Sequence, residues 1–469
     1  MRVLLIDPPF YRIMGMHRFY YPIGLASMAA VLKQAGHSVK IYDAEHTKEA
    51  NTLTWSQVAQ RYEEYPKALD DAGHELWSEA RKVIADLDPD LVGISMLTPK
   101  ARSANNVAQI SKELKPYVPV VVGADHPTVL PEYALRDTNI DYAVRGEGEY
   151  TLLDLVTCLE NRGGRGIETL NGISYRTKGG VRHTPNRQLI ANLDSLPYPD
   201  LDALLDLDDY RPVDLGAIMA SRGCPYSCTF CGVANIWTRE VRFRSPGNIL
   251  AEMKLLHERF GTTYFSFRDA SFTLRRDHVI ALCDLIHSAG LRVEWESVTR
   301  ADWIDDPLVE AMVTAGCVTV RLGVESGSPE LLKRMGKQLE LDVIRQAARL
   351  LNRRKLYWAA YFLFGTPWET EESIRQTLEF IEEIQPPFVT VARYAPIPGT
   401  EMYYELEQAG RISPDIQWNR ETNQRFASDY LFRMEPSKFE EWMKIVAAYA
   451  QQYNQNKSAE FQRRDGRLK

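Results

Sequence analysis

Three cysteines are the first residues in this sequence whose type and spacing could do chemistry. Cys224, Cys228 and Cys231 fall within eight residues, in the run Cys224-Pro-Tyr-Ser-Cys228-Thr-Phe230-Cys231. The thiolate is the ligating form of cysteine, and three thiolates on one short loop can hold three irons of a [4Fe–4S] cluster, leaving the fourth iron without a protein ligand. An iron left open in this way is a place for a small molecule to bind and react. A structural zinc ion is the alternative reading. It needs a fourth ligand close by, and the nearest histidine, His257, lies in a helical segment well downstream. The chain has six cysteines in all, too few to staple a fold of 469 residues with disulfides. The other three, Cys158, Cys283 and Cys317, stand alone in apolar-periodic segments and read as small core residues.

The cysteine loop follows directly on an apolar stretch, Leu215 to Ala220, which reads as the first strand of an alternating strand and helix pattern. Further candidate strands are Thr263 to Phe267, Val293 to Ser297, Val318 to Gly323, Trp358 to Phe364 and Phe388 to Arg393. Six repeats are too few for a closed eightfold barrel, so residues 212–400 predict an open, partial barrel with its chemistry at the carboxyl ends of the strands. Residues 1–160 alternate in the same manner. Strands are expected at Arg2 to Ile6, His37 to Tyr42, Leu91 to Ser95, Val118 to Val122 and Tyr142 to Val144, with an irregular insertion near residues 46 to 75. That pattern predicts a parallel, doubly wound sheet with helices on both faces. Residues 161–211, broken by Gly163-Gly164 and Gly179-Gly180, read as a linker with one short strand near Ile173 to Arg176. Residues 401–469 are mainly helical and polar and end in the basic tail Arg463 to Lys469.

With the cysteine spacing, Phe230 before the last cysteine, and the partial barrel in place, the sequence resembles the radical S-adenosylmethionine (SAM) enzymes. Further matches fall at successive strand ends: Asp269-Ala-Ser-Phe-Thr273, Ser297-Val-Thr-Arg300, Gly323-Val-Glu325-Ser-Gly327 and Gly365-Thr-Pro367-Trp-Glu369-Thr. In that family the open iron chelates the amino and carboxylate groups of SAM, and an electron from the cluster cleaves it to a 5′-deoxyadenosyl radical. The resemblance implies that Asp269, Ser297 and Glu325 meet polar groups of SAM, since such side chains bond hydroxyls and ammonium groups. It implies that Arg300 pairs with the SAM carboxylate, that Gly365 and Pro367 shape a close backbone approach to its adenine, and that Phe230 also contacts SAM. Ordinary loop ion pairs are the alternative reading of these acids and of Arg300.

A doubly wound domain ahead of such a barrel resembles the Rossmann-like cobalamin-binding domain of the class B radical SAM methyltransferases. Those domains often carry an Asp-x-His-x-x-Gly loop, then Ser-x-Leu, then a glycine pair. Here Ser95-Met-Leu97 is present and Gly123-Ala124 stands at the glycine pair. The first loop departs from the pattern: Asp7-Pro8-Pro9-Phe10-Tyr11-Arg12 has Pro9 at the histidine position and Arg12 at the glycine position. A histidine from this motif therefore cannot coordinate cobalt, and His17 and His126 are the loop histidines left to consider. Tyr21-Pro-Ile-Gly-Leu25 and Val144-Arg-Gly146-Glu147-Gly-Glu149 also fit the group, the latter as a glycine-rich turn that could cradle phosphate or amide groups of a corrin.

Composition sets the outer bounds. Apolar residues make up 45% and charged residues 25% of the chain, and 56 basic against 63 acidic residues leave a net charge of −7. That is globular usage, and its mild acidity argues against broad capture of nucleic acid. No apolar run reaches the roughly 18 residues of a membrane span, and the N-terminus meets an aspartate and two prolines too soon for a signal peptide, so a cytoplasmic setting is expected. The expected function is methylation of an unactivated carbon in a small or lipid-like molecule, with electrons from a flavodoxin or ferredoxin. Two alternatives stand beside it: a non-methylating enzyme such as an anaerobic oxidative ring cyclase, and a cobalamin or redox sensor without turnover. Trp237, Trp295, Trp303, Tyr357 and Trp368 could line a pocket or fill the core.

Overall fold

The computed structural model describes residues 1–16, 18, 20–48, 61, 64–412 and 430–465, the stretch 459–465 as backbone only. His17, most of the irregular insertion and the last residues of the basic tail lie outside the described residues. The chain divides into two compact units. The first runs from Met1 to Leu215 and also takes in Gly232–Thr238; the second includes Gly216–Cys231 and, among the described residues, the chain onward from Arg239.

In the first unit, β1 (Arg2–Asp7), β2 (Ser38–Asp43), β3 (Leu91–Ser95), β4 (Val120–Gly123) and β5 (Tyr142–Val144) form a parallel sheet in the order β2-β1-β3-β4-β5. Val3, Leu4, Leu5 and Ile6 of β1 are all essentially inaccessible, because a central parallel strand is covered on both faces. Alternation divides them. Leu4 and Ile6 join Trp77, Ala80 and Ile84 from the helix Glu75–Leu87 and Val107 from the helix Ala101–Leu114 in one core. The helices Ile23–Gln34 and Gly148–Arg162 pack on each other. The strand order reverses direction between β1 and β3, so Asp7-Pro8-Pro9 and Ser95-Met96-Leu97 flank the switch point where this architecture takes ligands.

The stretch expected as a linker contributes more than one strand. β6 (Ile173–Thr177) pairs antiparallel with β5, and β7 (Gly180–His183) pairs antiparallel with β6. Gly179-Gly180, which interrupts the apolar rhythm in sequence, is the turn and first strand residue of this hairpin.

The second unit holds β8 (Ala217–Ile218), the short antiparallel pair β9 (Ser221–Arg222) and β10 (Arg242–Phe243), then β11 (Tyr264–Phe267), β12 (Glu294–Thr299), β13 (Cys317–Glu325), β14 (Tyr357–Phe364) and β15 (Phe388–Arg393). Among the described residues its main sheet has six parallel strands in the order β15-β14-β13-β12-β11-β8. This is the partial barrel. Val320, Leu322 and Val324 of β13 are buried, whereas Arg321, Gly323 and Glu325 on the opposite face are only half-buried, so the concave face is open and polar. The last helix, Pro436–Asp465, packs along the edge strand β15. There the Asn454 amide exchanges two 2.8 Å hydrogen bonds with the backbone of Val389, meeting edge groups that would otherwise be unpaired. Cys158, Cys283 and Cys317 are buried, as is Trp295; Trp303 is 37% exposed.

Candidate active site

Gly223 turns the chain from β9 into the cysteine loop. It sits at φ +97, and a Cβ there would come within 2.1 Å of the Glu240 carbonyl oxygen, so no other residue fits without moving backbone. Cys224, Cys228 and Cys231 are half-buried and form no disulfide. The loop is fixed by backbone bonds on either side of Thr229: its N–H donates to Met335 O at 2.9 Å, and its carbonyl accepts from Met402 N at 2.9 Å. Burial pushes the Cys228 thiol up, and the nearby charges of Lys337 and Arg300 oppose that rise. Among the described residues no three His, Cys, Asp or Glu side chains converge on one point where a single ion would sit, these cysteines included. One tetrahedral ion needs sulfurs converging to about 2.3 Å from its centre, whereas ligands of a cluster each bind a different iron.

The residues expected to face SAM fall into two groups. Asp269 is already occupied: its carboxylate accepts from the Ala220 N–H and the Ser221 hydroxyl, bracing the strand that leads into the cysteine loop. Its burial pushes the pKa up to about 6. Glu325 bonds Lys337 Nζ at 2.8 Å and sits at φ +71, where β13 slips register against β14. A non-glycine residue held in that region is the kind of strain found at functional sites. Gly365, at φ +84, donates its N–H to Glu369. Glu369 also accepts from Ser373, and burial pushes its pKa up to about 7. Pro367 accepts from Phe432 N at 2.7 Å, and Phe230 is half-buried.

The second group has buried polar atoms without a partner. Ser297 Oγ, Thr366 Oγ1 and Arg300 Nη1 are all inaccessible and make no hydrogen bond, although Arg300 pairs through its other nitrogens with Asp302 and the Gln338 carbonyl. Orphaned buried groups carry a cost of roughly 1–3 kcal/mol each, which a bound polar ligand would relieve. All three lie at or just beyond the carboxyl ends of β12 and β14. Sequence reasoning passed over a further set on the concave face: Arg321 donates to Glu296 at 2.6 Å and to the Tyr361 hydroxyl at 2.7 Å, and Ser266 donates to Glu296 at 2.9 Å. A charge at every second position of an apolar strand, as in Glu294-Trp-Glu296, was the available signal.

In the first unit the carboxyl-end face is braced by ion pairs. Asp7 accepts from Arg18 and from Lys100 Nζ at 2.7 Å; Lys100 also pairs with Glu45 at 2.7 Å, and Arg18 with Asp43. Glu45 accepts from the N–H groups of Phe10 and Arg12, and the Pro9 carbonyl accepts from Ser103, so the first loop is bolted down along its length. Burial alone would raise Asp7, but Lys100 and Arg18 more than offset it and hold its carboxyl low. Burial dominates at Asp43 and raises it. Beyond β4, Ala124 sits at φ +86, a conformation that accounts for a glycine pair at this place and that an alanine adopts under strain. His126 is fully buried, with Nδ1 3.2 Å from Thr98 Oγ1, and burial lowers its pKa to about 4. Glu147 accepts from Ile190 N at 2.7 Å; Gly146 takes φ +75, Ser95 is half-buried and Leu97 is 36% exposed.

Family models match both units: the radical SAM superfamily over residues 218–381 and the B12 binding domain over residues 17–156. An uncharacterized methyltransferase of Pyrococcus horikoshii is 32% identical, over 90% of this chain and 86% of that protein. The chain belongs to the radical SAM superfamily, in its cobalamin-binding branch. An anaerobic magnesium-protoporphyrin IX monomethyl ester cyclase of Rubrivivax gelatinosus is 29% identical, over 87% of this chain and 70% of that protein. The fold is shared with the radical SAM methyltransferase TsrM of Kitasatospora setae, solved with cobalamin and a [4Fe–4S] cluster, at a TM-score of 0.67 and 20% identity, covering 87% of this chain and 75% of that one. This radical SAM enzyme therefore uses a [4Fe–4S] cluster, SAM and cobalamin. The residues present fit the first two: three cysteines outside any disulfide on a pinned loop, and orphaned donors and acceptors at the neighbouring strand ends. For cobalamin, the exposed Leu97 and the open turn at Gly146, where an added Cβ would meet nothing within 4 Å, leave room at the strand ends.

Proposed function

We propose that this radical SAM enzyme methylates an unactivated carbon, or another poorly nucleophilic atom, of a small or lipid-like molecule. The observation that carries the reading is the pairing of a three-cysteine loop with buried, unpartnered polar atoms at Ser297, Arg300 and Thr366. When bound, the cofactors together supply the electron, the 5′-deoxyadenosyl radical and the methyl group that such a reaction needs. Cys224, Cys228 and Cys231 hold the cluster. Ser297 and Thr366 receive polar groups of SAM, Glu325 accepts from them, and Gly365, Pro367 and Phe230 shape the adenine side. Asp269 keeps the loop's entry rigid. Glu296, Arg321 and Tyr361 give the concave face a polar floor beneath the reacting groups.

On the cobalamin side we assign Ser95, Leu97, Gly123, Ala124, His126, Gly146 and Glu147 to the corrin and its tail. The corrin takes no histidine from the first loop, where Asp7 and Pro9 serve to brace the backbone. The His126 ring is fully buried, which keeps it from cobalt while it stays enclosed. The reading includes a flavodoxin- or ferredoxin-like electron donor and a cytoplasmic setting; among the described residues no helix is long and apolar enough to cross a membrane. The relative named as a ring cyclase supports a second reading, radical oxidation without methyl transfer.

Product counting separates the two. The reconstituted enzyme, given SAM labelled in its methyl group, cobalamin, a reductant and a cell extract as substrate source, should release 5′-deoxyadenosine and S-adenosylhomocysteine together. Substrate-dependent 5′-deoxyadenosine with no S-adenosylhomocysteine would sink the methyl-transfer reading.

A further inference from the structure

The cysteine loop carries one large side chain that ligation leaves unexplained. Tyr226 lies midway between Cys224 and Cys228, and three residues from the end of β12 hold it. The Arg300 guanidinium stacks on its ring at 3.6 Å from the centroid. The Trp303 indole N–H donates to its hydroxyl at 2.6 Å, and that hydroxyl donates to Asp302 Oδ2 at 3.0 Å. Arg300 closes the circle. Its Nε donates to Asp302 Oδ1 at 3.0 Å and its Nη2 to Asp302 Oδ2 at 3.0 Å, while Nη2 also reaches the Gln338 carbonyl at 3.2 Å.

Only a guanidinium can do all of this, because a planar fork can chelate a carboxylate in its own plane while its face lies on an aromatic ring. Arg300 is 5% exposed, so the cation beside the loop is poorly screened by solvent. Its Nη1 is buried and without a partner. These contacts commit most of the side chain expected to grip the SAM carboxylate to the loop instead.

We propose that Arg300 is a positioning residue which, with Asp302, Tyr226 and Trp303, clamps the cysteine loop and sets the reduction potential of the cluster held there. This rests on the cluster assignment of the loop. Reduction adds an electron to an already anionic centre, and a fixed cation or a hydrogen bond to its sulfurs stabilises the reduced form and raises the potential. Arg300 supplies the cation. Tyr226 and Trp303 keep the stack in register. Replacing Arg300 by a neutral residue removes the cation and leaves the Asp302 carboxylate uncompensated, so both changes act in the same direction.

The experiment uses the full chain, anaerobically reconstituted without SAM or cobalamin, and follows an equilibrium redox titration by the EPR signal of the reduced cluster, with iron and sulfide counted in each sample. Arg300→Gln should retain iron, lower the midpoint potential and alter the g-values. Arg300→Lys keeps the charge but loses the fork, so its potential should fall less while its g-values still change. Tyr226→Phe keeps the ring for stacking, loses both hydroxyl bonds, and should release iron to a chelator faster than the unchanged protein. If Arg300→Gln holds no cluster, Arg300→Lys and Tyr226→Phe decide. A potential and g-values unchanged in each variant that loads, together with unchanged chelation in Tyr226→Phe, overturn the proposal. An unchanged protein that takes up no iron refutes the cluster assignment instead, and the iron count tells the two failures apart.

Discussion

The two units present the same feature, the carboxyl ends of parallel strands, and treat it in opposite ways. In the first unit the strand ends are filled by their own counter-charges: Asp7, Asp43 and Glu45 answer Arg18 and Lys100, and the backbone from Pro9 to Arg12 is held by side-chain hydrogen bonds. In the barrel unit, Ser297, Thr366 and one nitrogen of Arg300 are buried and unanswered, and Glu325 is held in a strained backbone conformation. The difference teaches where each unit spends its polar groups. One spends them on one another as ion pairs, which in the proposed function form a platform for a large, preformed cofactor. The other leaves several buried without a partner, which in the proposed function receive a ligand with polar groups of its own.

The largest expected effect is at the cysteine loop. Cys228→Ala should abolish both cluster iron and reductive formation of 5′-deoxyadenosine from SAM; cleavage that survives the substitution would break the assignment of the open face. Next comes the filled face. Lys100→Met strips the shared partner of Asp7 and Glu45, leaving the buried Glu45 carboxylate without this cation and Asp7 paired with Arg18, and should destabilise the first unit by about 3–5 kcal/mol in chemical denaturation. A loss below about 1 kcal/mol would show that the ion network is ornament rather than platform.

Glu369 gives a pH-dependent prediction. Its folded pKa of about 7 lies above the ordinary 4.5, so its contribution is fully present below pH 4.5 and is lost as pH rises through 7. Glu369→Gln, which removes that titration, should gain up to about 3 kcal/mol on the unchanged protein between pH 4.5 and 8. Melting curves of the two at either end of that range that stay parallel would contradict the burial argument. At the glycine-pair position, Ala124→Gly should relieve the φ +86 backbone and raise stability by about 1 kcal/mol. The smallest effect sharpens the contrast most. Ser297→Ala deletes an orphaned hydroxyl, so it should leave the melting temperature of the cofactor-free protein unchanged or slightly higher while weakening SAM binding several-fold by equilibrium dialysis.

Much of this molecule was legible in its sequence because the relevant signals are local. The cysteine spacing is contained in eight residues, and β1 to β5 and the six barrel strands announce themselves as apolar runs between helical stretches. Partnerships between distant residues were not legible. Nothing near Lys100 in sequence indicates that it meets Asp7, and nothing near Arg300 shows that Tyr226 lies beneath it, since both contacts form only when strand ends converge. The hairpin β6–β7 was obscured for a different reason: glycine marks a tight turn and a structureless break equally well. Asp269 shows the limit of reading a motif as a contact, for its carboxylate is spent on the strand before the loop.

The central claim is that one chain holds both an iron–sulfur cluster and a corrin on two separately built strand-end faces. The visible spectrum and metal content of anaerobically purified, desalted protein that has been supplied with cobalamin test it most directly. The account predicts one [4Fe–4S] cluster and one corrin per chain, with the Cys228→Ala protein retaining the corrin and losing the iron. Protein that keeps its iron but returns all of its cobalamin on desalting would contradict it.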